Sequence, residues 1–191
     1  EIGSGLVGSE MCIRDSLYIP SKDEVKELLR KMDIRTSHNS EQLRLDRECK
    51  ILFLLYFCCG LRLSEGRLLK WEHIDLEKGI LTILGSKGSK DRLVYLPQDS
   101  LPVLKSYKEC QEKLFPGIDW AFPGKDPHKP VSCSGVESSF NRHWAMLPAA
   151  GTLAKHPTPH CLRHAFVVER FNEWMHQGIC LLYTSDAADD M

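Results

Sequence analysis

Over residues 22–32 the apolar positions fall three and four apart, with Val25, Leu28, Leu29 and Met32 on one stripe, so an amphipathic helix is predicted there. Ser21 stands ahead of it as a cap, and Glu24 three residues on completes a capping box. Polar residues 35–42 read as a loop. A second helix then runs to Cys59, polar at its start and apolar without a break from Ile51 to Cys59. A helix end that is apolar on every face is one surrounded by other elements. Gly60 stops it, since glycine enters the left-handed conformation of helix ends most easily. Ser64 is placed to cap a third helix, with Glu65 in its first turn and Leu68, Leu69 and Trp71 continuing it.

Residues 80–84 and 92–96 are β-prone runs joined by GSKGSKD at 85–91, the composition of a hairpin tip, and Pro97 ends the second run. Residues 101–115 then predict a helix with Leu104, Tyr107 and Leu114 on its apolar face. Trp120, Ala121 and Phe122 read as a short buried strand. A further helix starts at Ser134 and carries Phe140, Trp144 and Leu147. The last has Pro159 at its first position, runs through His160, Arg163 and Phe171 to Gln177, and is closed by Gly178. Trp144 and Trp174, at helical spacing from other apolar residues, read as core. The expected fold class is α+β, mostly helical, with a small antiparallel β-sheet.

Composition changes this picture at the two ends. The DNA ATGTGTATAAGAGACA encodes MCIRD at 11–15, and its reverse complement TGTCTCTTATACACAT encodes CLLYT at 180–184. Both ends therefore resemble a translated transposon-end adapter from a sequencing library, and residues 1–16 and 180–191 are expected to be non-native tails around one domain at 17–179. The whole chain of 191 residues has a formal charge of −1, but residues 17–179 carry 24 Lys and Arg against 20 Asp and Glu, a charge of +4. A mildly basic domain is compatible with a polyanionic partner without requiring one. Setting aside Cys12 and Cys180 leaves six of the eight cysteines, with no CxxC pair, which reads as reduced, buried thiols in a cytoplasmic protein. The apolar run is too short to span a bilayer, so no membrane is expected.

The candidate chemistry lies at the helix boundaries. His160 and Arg163 share a face at the start of the last helix, where backbone amides and the helix dipole favour an anion. Arg62 sits in the turn after Gly60, beside Glu65, and Lys87 sits on the hairpin tip. Arginine suits two-pronged contact with phosphate oxygens and lysine suits a single oxygen, a set that fits phosphoryl transfer. Lys90 and Arg92, on the same hairpin, are further candidate phosphate contacts. A metal reading of His156, His160, Cys161 and His164 fails because Pro157 and Pro159 keep His156 off the helix and no second ligand cluster exists.

GLRLSE at 60–65, GSKGSKDRLVYLP at 85–97 and HCLRH at 160–164, in that order, resemble the two arginine motifs and the intervening lysine hairpin of the tyrosine recombinases, or phage integrase family. The resemblance covers nearly all of residues 17–179 and implies that family's catalytic domain. It implies that Arg62 and Arg163 hold the scissile phosphate with Glu65 in support, that Lys87 protonates the leaving 5′ oxygen, and that His160 assists proton transfer at an attacking tyrosine. It implies double-stranded DNA as partner, self-association of the full-length protein on DNA, and no cofactor. The family's tyrosine nucleophile is expected beyond Ile179, and its N-terminal DNA-clamping domain before Leu17. Tyr183 falls within the adapter translation and too close to Arg163 for the family's spacing, so this fragment is expected to bind DNA without forming a 3′ phosphotyrosine link. The alternatives are a non-catalytic DNA-binding module and a type IB topoisomerase-like enzyme.

Overall fold

Helix α2 (Ser40–Cys59) is the element on which the others are laid. The computed structural model describes residues 18–34, 39–86, 90–151 and 156–178. Asn39 caps α2 by accepting the Glu41 N–H at 2.9 Å, and Gly60 ends it in the left-handed conformation at φ 62°. Around α2 stand α1 (Lys22–Lys31), α3 (Leu63–Arg67), α4 (Leu101–Leu114), α5 (Cys133–Trp144) and α6 (Cys161–His176), each packed against it. That environment explains the all-round apolar end: Leu52, Phe53, Leu55 and Tyr56 are all buried. Phe53 meets Phe140 of α5 edge-on at 5.6 Å, and Phe140 stacks on Trp144 at 5.5 Å. Each such ring or Leu side chain stabilises the fold by about 1.5–3 kcal/mol when fully buried.

Helix α1 carries the expected capping box, Ser21 with Glu24, and buries Val25 and Leu28. The sheet is antiparallel in the order β1-β2-β3, with β1 at Ile74–Asp75, β2 at Ile80–Ser86 and β3 at Lys90–Tyr95. Register pairs Leu81 with Val94 and Ile83 with Arg92, so Leu81, Ile83, Arg92 and Val94 face one side while Leu93 and Tyr95 face the other. Towards the tip the register slips between Ile83 and Ser86, where Gly85 takes φ 58° and gives its N–H to the Asp91 carboxylate at 2.9 Å.

Several boundaries differ from the sequence expectation. The cap of α3 is Arg62, not Ser64, because the Glu65 carboxylate reaches back to the Arg62 N–H and satisfies the first orphan amide itself. Helix α3 ends at Arg67, and Trp71–His73 is a separate 3₁₀ turn leading into β1, a strand the apolar pattern was too short to reveal. Ser132 caps α5 instead of Ser134, accepting the Gly135 N–H at 3.0 Å. Helix α6 begins at Cys161, with His160 at its N-cap, two residues later than the proline suggested. Trp120 forms an isolated bridge with Lys70, while Ala121 and Phe122 are fully buried. Trp144 is core, but Trp174 is only half-buried, edge-on to the exposed Phe171 at 5.8 Å, and of the cysteines expected to be buried Cys110 and Cys133 are exposed. The expected tails, Lys87 and parts of two predicted loops lie outside the described residues. No helix among the described residues is long and apolar enough to cross a membrane.

Candidate active site

The turn after α2 is fastened to that helix before it holds anything else. Tyr56 of α2 donates its hydroxyl to the Leu63 carbonyl at 2.9 Å. Gly66 of α3 lies so near α2 that a Cβ there would come within 2.5 Å of the Tyr56 ring and 2.8 Å of Leu52. On this base Arg62 and Glu65 form a closed pair. The Arg62 N–H donates to Glu65 Oε2 at 2.7 Å, and Arg62 Nη1 donates to Glu65 Oε1 at 2.7 Å.

A second guanidinium reaches the same carboxylate from the hairpin. Arg92 of β3 donates Nη1 to Glu65 Oε1 at 2.6 Å and Nη2 to Oε2 at 2.8 Å, a two-pronged contact across 27 residues of sequence. The Glu65 side chain is left 6% exposed, whereas Arg62 and Arg92 keep 38% and 33% of theirs. Burial pushes the Glu65 carboxyl up, but donation from Arg92 and from the backbone and side chain of Arg62 outweighs it and brings it to about 2. Glu65 is therefore ionised at neutral pH, and it holds Arg92 more firmly protonated in return.

Arg163 joins from α6, donating Nη1 to the carbonyl of Gly60. Glycine at position 60 serves twice: its positive φ ends α2, and a Cβ there would run into the Phe166 ring of α6. Burial and the positive neighbours Arg62 and Arg92 lower the Arg163 pKa, opposed by Glu65. His160 precedes Arg163 at the N-cap of α6, its ring edge-on to His164 with centroids 4.6 Å apart. His160 is exposed as a residue, but partial desolvation of its ring, followed by His164, Arg163 and Arg62, holds the imidazole below its ordinary value, which favours the neutral form able to take a proton.

Arg62, Glu65, His160 and Arg163, drawn from two distant motifs, are thus brought to one place. Lys87 lies outside the described residues, and for Lys90 the backbone is placed, paired with Ser86 in the ladder. Arg92, expected as a phosphate contact, has two of its nitrogens on Glu65 instead. A usable signal for this existed in the sequence. Alternation in the second β-prone run puts Arg92 on the same side as Val94, and an arginine turned towards a core needs a carboxylate partner. Among the described residues no group of three or more His, Cys, Asp or Glu side chains is arranged to hold a metal ion.

Comparison with known proteins meets this geometry from outside. The model of the phage integrase family matches residues 21–176. Tyrosine recombinase XerA of Pyrococcus furiosus is 33% identical over 119 residues, covering 61% of this chain and 38% of that protein. Tyrosine recombinase XerC of Xylella fastidiosa is 33% identical over 117 residues, covering 61% and 37%. The chain thus spans less than half the length of these relatives. Among solved structures, the XerH site-specific recombinase bound to its difH substrate in a pre-cleavage complex superposes with a TM-score of 0.64 at 23% identity, over 81% of this chain and 43% of that one. The Tn1549 transposon integrase in complex with transposon right end DNA gives 0.66 at 15% identity, over 83% and 55%. These two likenesses are of fold. The family match over residues 21–176 shows that the chain belongs to the phage integrase family.

Proposed function

We propose that this chain is the phosphate-holding part of a site-specific DNA recombinase, and that by itself it binds duplex DNA without cleaving it. The observation that carries the reading is a charge imbalance at the site: the guanidiniums of Arg62, Arg92 and Arg163 are gathered around the single carboxylate of Glu65. A phosphodiester supplies the missing negative charge. In this reading Arg62 and Arg163 each donate to a non-bridging oxygen, in place before the reaction begins, so that charge developing on the phosphoryl group is met without reorganisation. Neutral His160 accepts the proton of the attacking hydroxyl, and Lys87 gives one to the leaving 5′ oxygen. In the full-length protein, a tyrosine beyond Ile179 would form the 3′ phosphotyrosine link, with further copies assembling on the DNA.

The tyrosines of the described residues support binding without cleavage. Tyr18 is engaged by Glu24, Tyr56 by the Leu63 carbonyl and Tyr107 by the Ala121 carbonyl. Tyr95 projects from the face of β3 opposite to Arg92. Tyr183 lies outside the described residues.

The test is a duplex carrying a nick beside the scissile phosphate, incubated with the chain and with its Tyr183→Phe variant. Binding is expected to weaken as salt rises, and replacing Arg62 or Arg163 by Ala should reduce the slope of log K against log salt by about 0.9 for each phosphate that is no longer neutralised. No covalent adduct is expected. An adduct that forms with the chain and vanishes in Tyr183→Phe overturns the reading of this chain as non-cleaving.

A further inference from the structure

Glu65 is well placed to orient Arg62, but alone it would also cancel the charge that Arg62 offers to a phosphate. The two groups form a neutral pair, with both Glu65 oxygens engaged by Arg62 through its backbone N–H at 2.7 Å and Nη1 at 2.7 Å. Arg92 approaches from β3 and places Nη1 and Nη2 on the same two oxygens, at 2.6 and 2.8 Å. One carboxylate therefore serves two guanidiniums, and the three-group cluster carries a net single positive charge. The Glu65 side chain is almost fully buried beneath them, while both arginines keep about a third of their surface in solvent. In this sheltered position the Glu65 charge is felt more strongly than in open water, so whatever offsets it decides how much of the Arg62 field reaches an incoming anion.

We infer that Arg92 is a positioning residue of the active site, which holds Glu65 from the hairpin side and offsets its charge so that Glu65 can orient Arg62 without neutralising it. The inference rests on the phosphate-binding reading of Arg62 and makes a different demand of Arg92 than a DNA backbone contact would. A backbone contact would place the guanidinium on a phosphate; here its fork lies on a carboxylate of its own chain. Arg92 also joins two elements of the site. Arg92 pairs with Ile83 towards the tip end of the β2–β3 ladder, so the fork fixes that end of the hairpin to the arginine turn. The other charged groups around Glu65 are Arg62 on its own turn and Arg163 on α6, and His73 lines the shallow groove beside it.

Two measurements test it. The first needs no DNA: the carboxyl carbon of Glu65 is followed by NMR as pH falls, in the chain and in Arg92→Ala. Arg92 is a principal group lowering the Glu65 carboxyl, so the titration should move up from about 2 towards the ordinary carboxylate range in the variant. An unmoved titration overturns the inference, whatever the chain does with DNA. The second is a double-mutant cycle on duplex affinity with Arg92→Ala and Glu65→Gln. Arg92→Ala should weaken binding roughly tenfold, the scale of removing a charge-assisted hydrogen bond, and have little further effect once Glu65→Gln is present. Arg92→Lys, which keeps the charge but not the fork, should recover only part of the affinity. A direct phosphate contact would instead make the two effects additive and lower the salt slope by about 0.9 in both backgrounds, and that result also overturns the inference. If the unmutated chain binds no duplex at low salt, the functional reading fails while the NMR titration still decides the role of Arg92.

Discussion

Two glutamates, Glu65 in the candidate site and Glu48 in the scaffold, both pair with arginine and yet differ in charge state. Both side chains are largely covered, with 6% and 3% exposed, and both meet an arginine at 2.6–2.7 Å, but Glu65 is half-buried as a residue where Glu48 is buried. Glu65 is brought to about 2, while burial pushes Glu48 up to about 7 against the pull of Arg44 and Gln111. The difference lies in how deeply each is buried and in how the donors are distributed. Glu65 receives four, two on each oxygen. At Glu48, Arg44 Nη1 and Gln111 Nε2 both converge on Oε1, and Oε2 has no hydrogen-bond partner among the described residues. Arg44 is shared as well, giving Nη2 to the Gly124 carbonyl at 2.8 Å and lying 5.1 Å from the Phe115 ring centroid. The charge of a carboxylate is therefore set by the depth of its burial against the number of donors on each oxygen, and Glu48 has more of the first and fewer of the second.

The largest test of this contrast is Arg44→Ala. Near pH 8, where Glu48 is ionised, removing the arginine paired with it should cost about 3 kcal/mol in urea unfolding. Near pH 5 Glu48 is protonated, and the cost should shrink to about 1 kcal/mol for the missing hydrogen bond and ring packing. Equal costs at both values would mean that Glu48 is not titrating between them, and the contrast with Glu65 would collapse.

Glu48→Gln should act in the opposite direction. Because the folded pKa of Glu48 lies above its unfolded value, the folded state holds the extra proton, and the stability this group contributes falls as pH rises from about 4.5 to about 7. The amide cannot ionise, so the variant should gain roughly 2 kcal/mol over the wild type near pH 8 and little near pH 5. Unfolding curves across that range would show the two stabilities parting as pH rises.

Glu65→Gln is expected to have the smallest effect on stability, about 1 kcal/mol, because its arginines are partly in solvent and water screens them. Its folded pKa is depressed, so its contribution is fully present above about pH 4.5 and is lost as pH falls towards about 2. The cost of the substitution should thus be flat between pH 5 and 8 and disappear in acid. A cost that varies across the neutral range would place Glu65 with Glu48 after all.

Much of the frame was legible because it depends on neighbours in sequence. The capping box of α1, the left-handed stop at Gly60, the apolar end of α2 and the placing of His160 and Arg163 at one helix start all follow from spacing over a few residues. The errors were local too: Ser64 and Ser134 each stand two residues past the true cap, and which residue caps depended on competitors such as the Glu65 carboxylate and the Ser132 hydroxyl.

What the sequence by itself determined is that two arginine motifs and a lysine hairpin occur in the order of one family, each at an element boundary. What only the tertiary structure decided is which charges meet. Glu48 stands four residues after Arg44, a spacing that on an exposed helix gives a weak surface pair; it becomes a titrating group because α4 covers it with Gln111 and Tyr107. Alternation marks Arg92 as an arginine in need of a carboxylate, but nothing in the sequence points it to Glu65 across 27 residues; they pair because the hairpin lands beside the arginine turn. Periodicity and capping act along the chain over a turn or two, whereas desolvation and ion pairing depend on distances through space, which are fixed only when the core has closed.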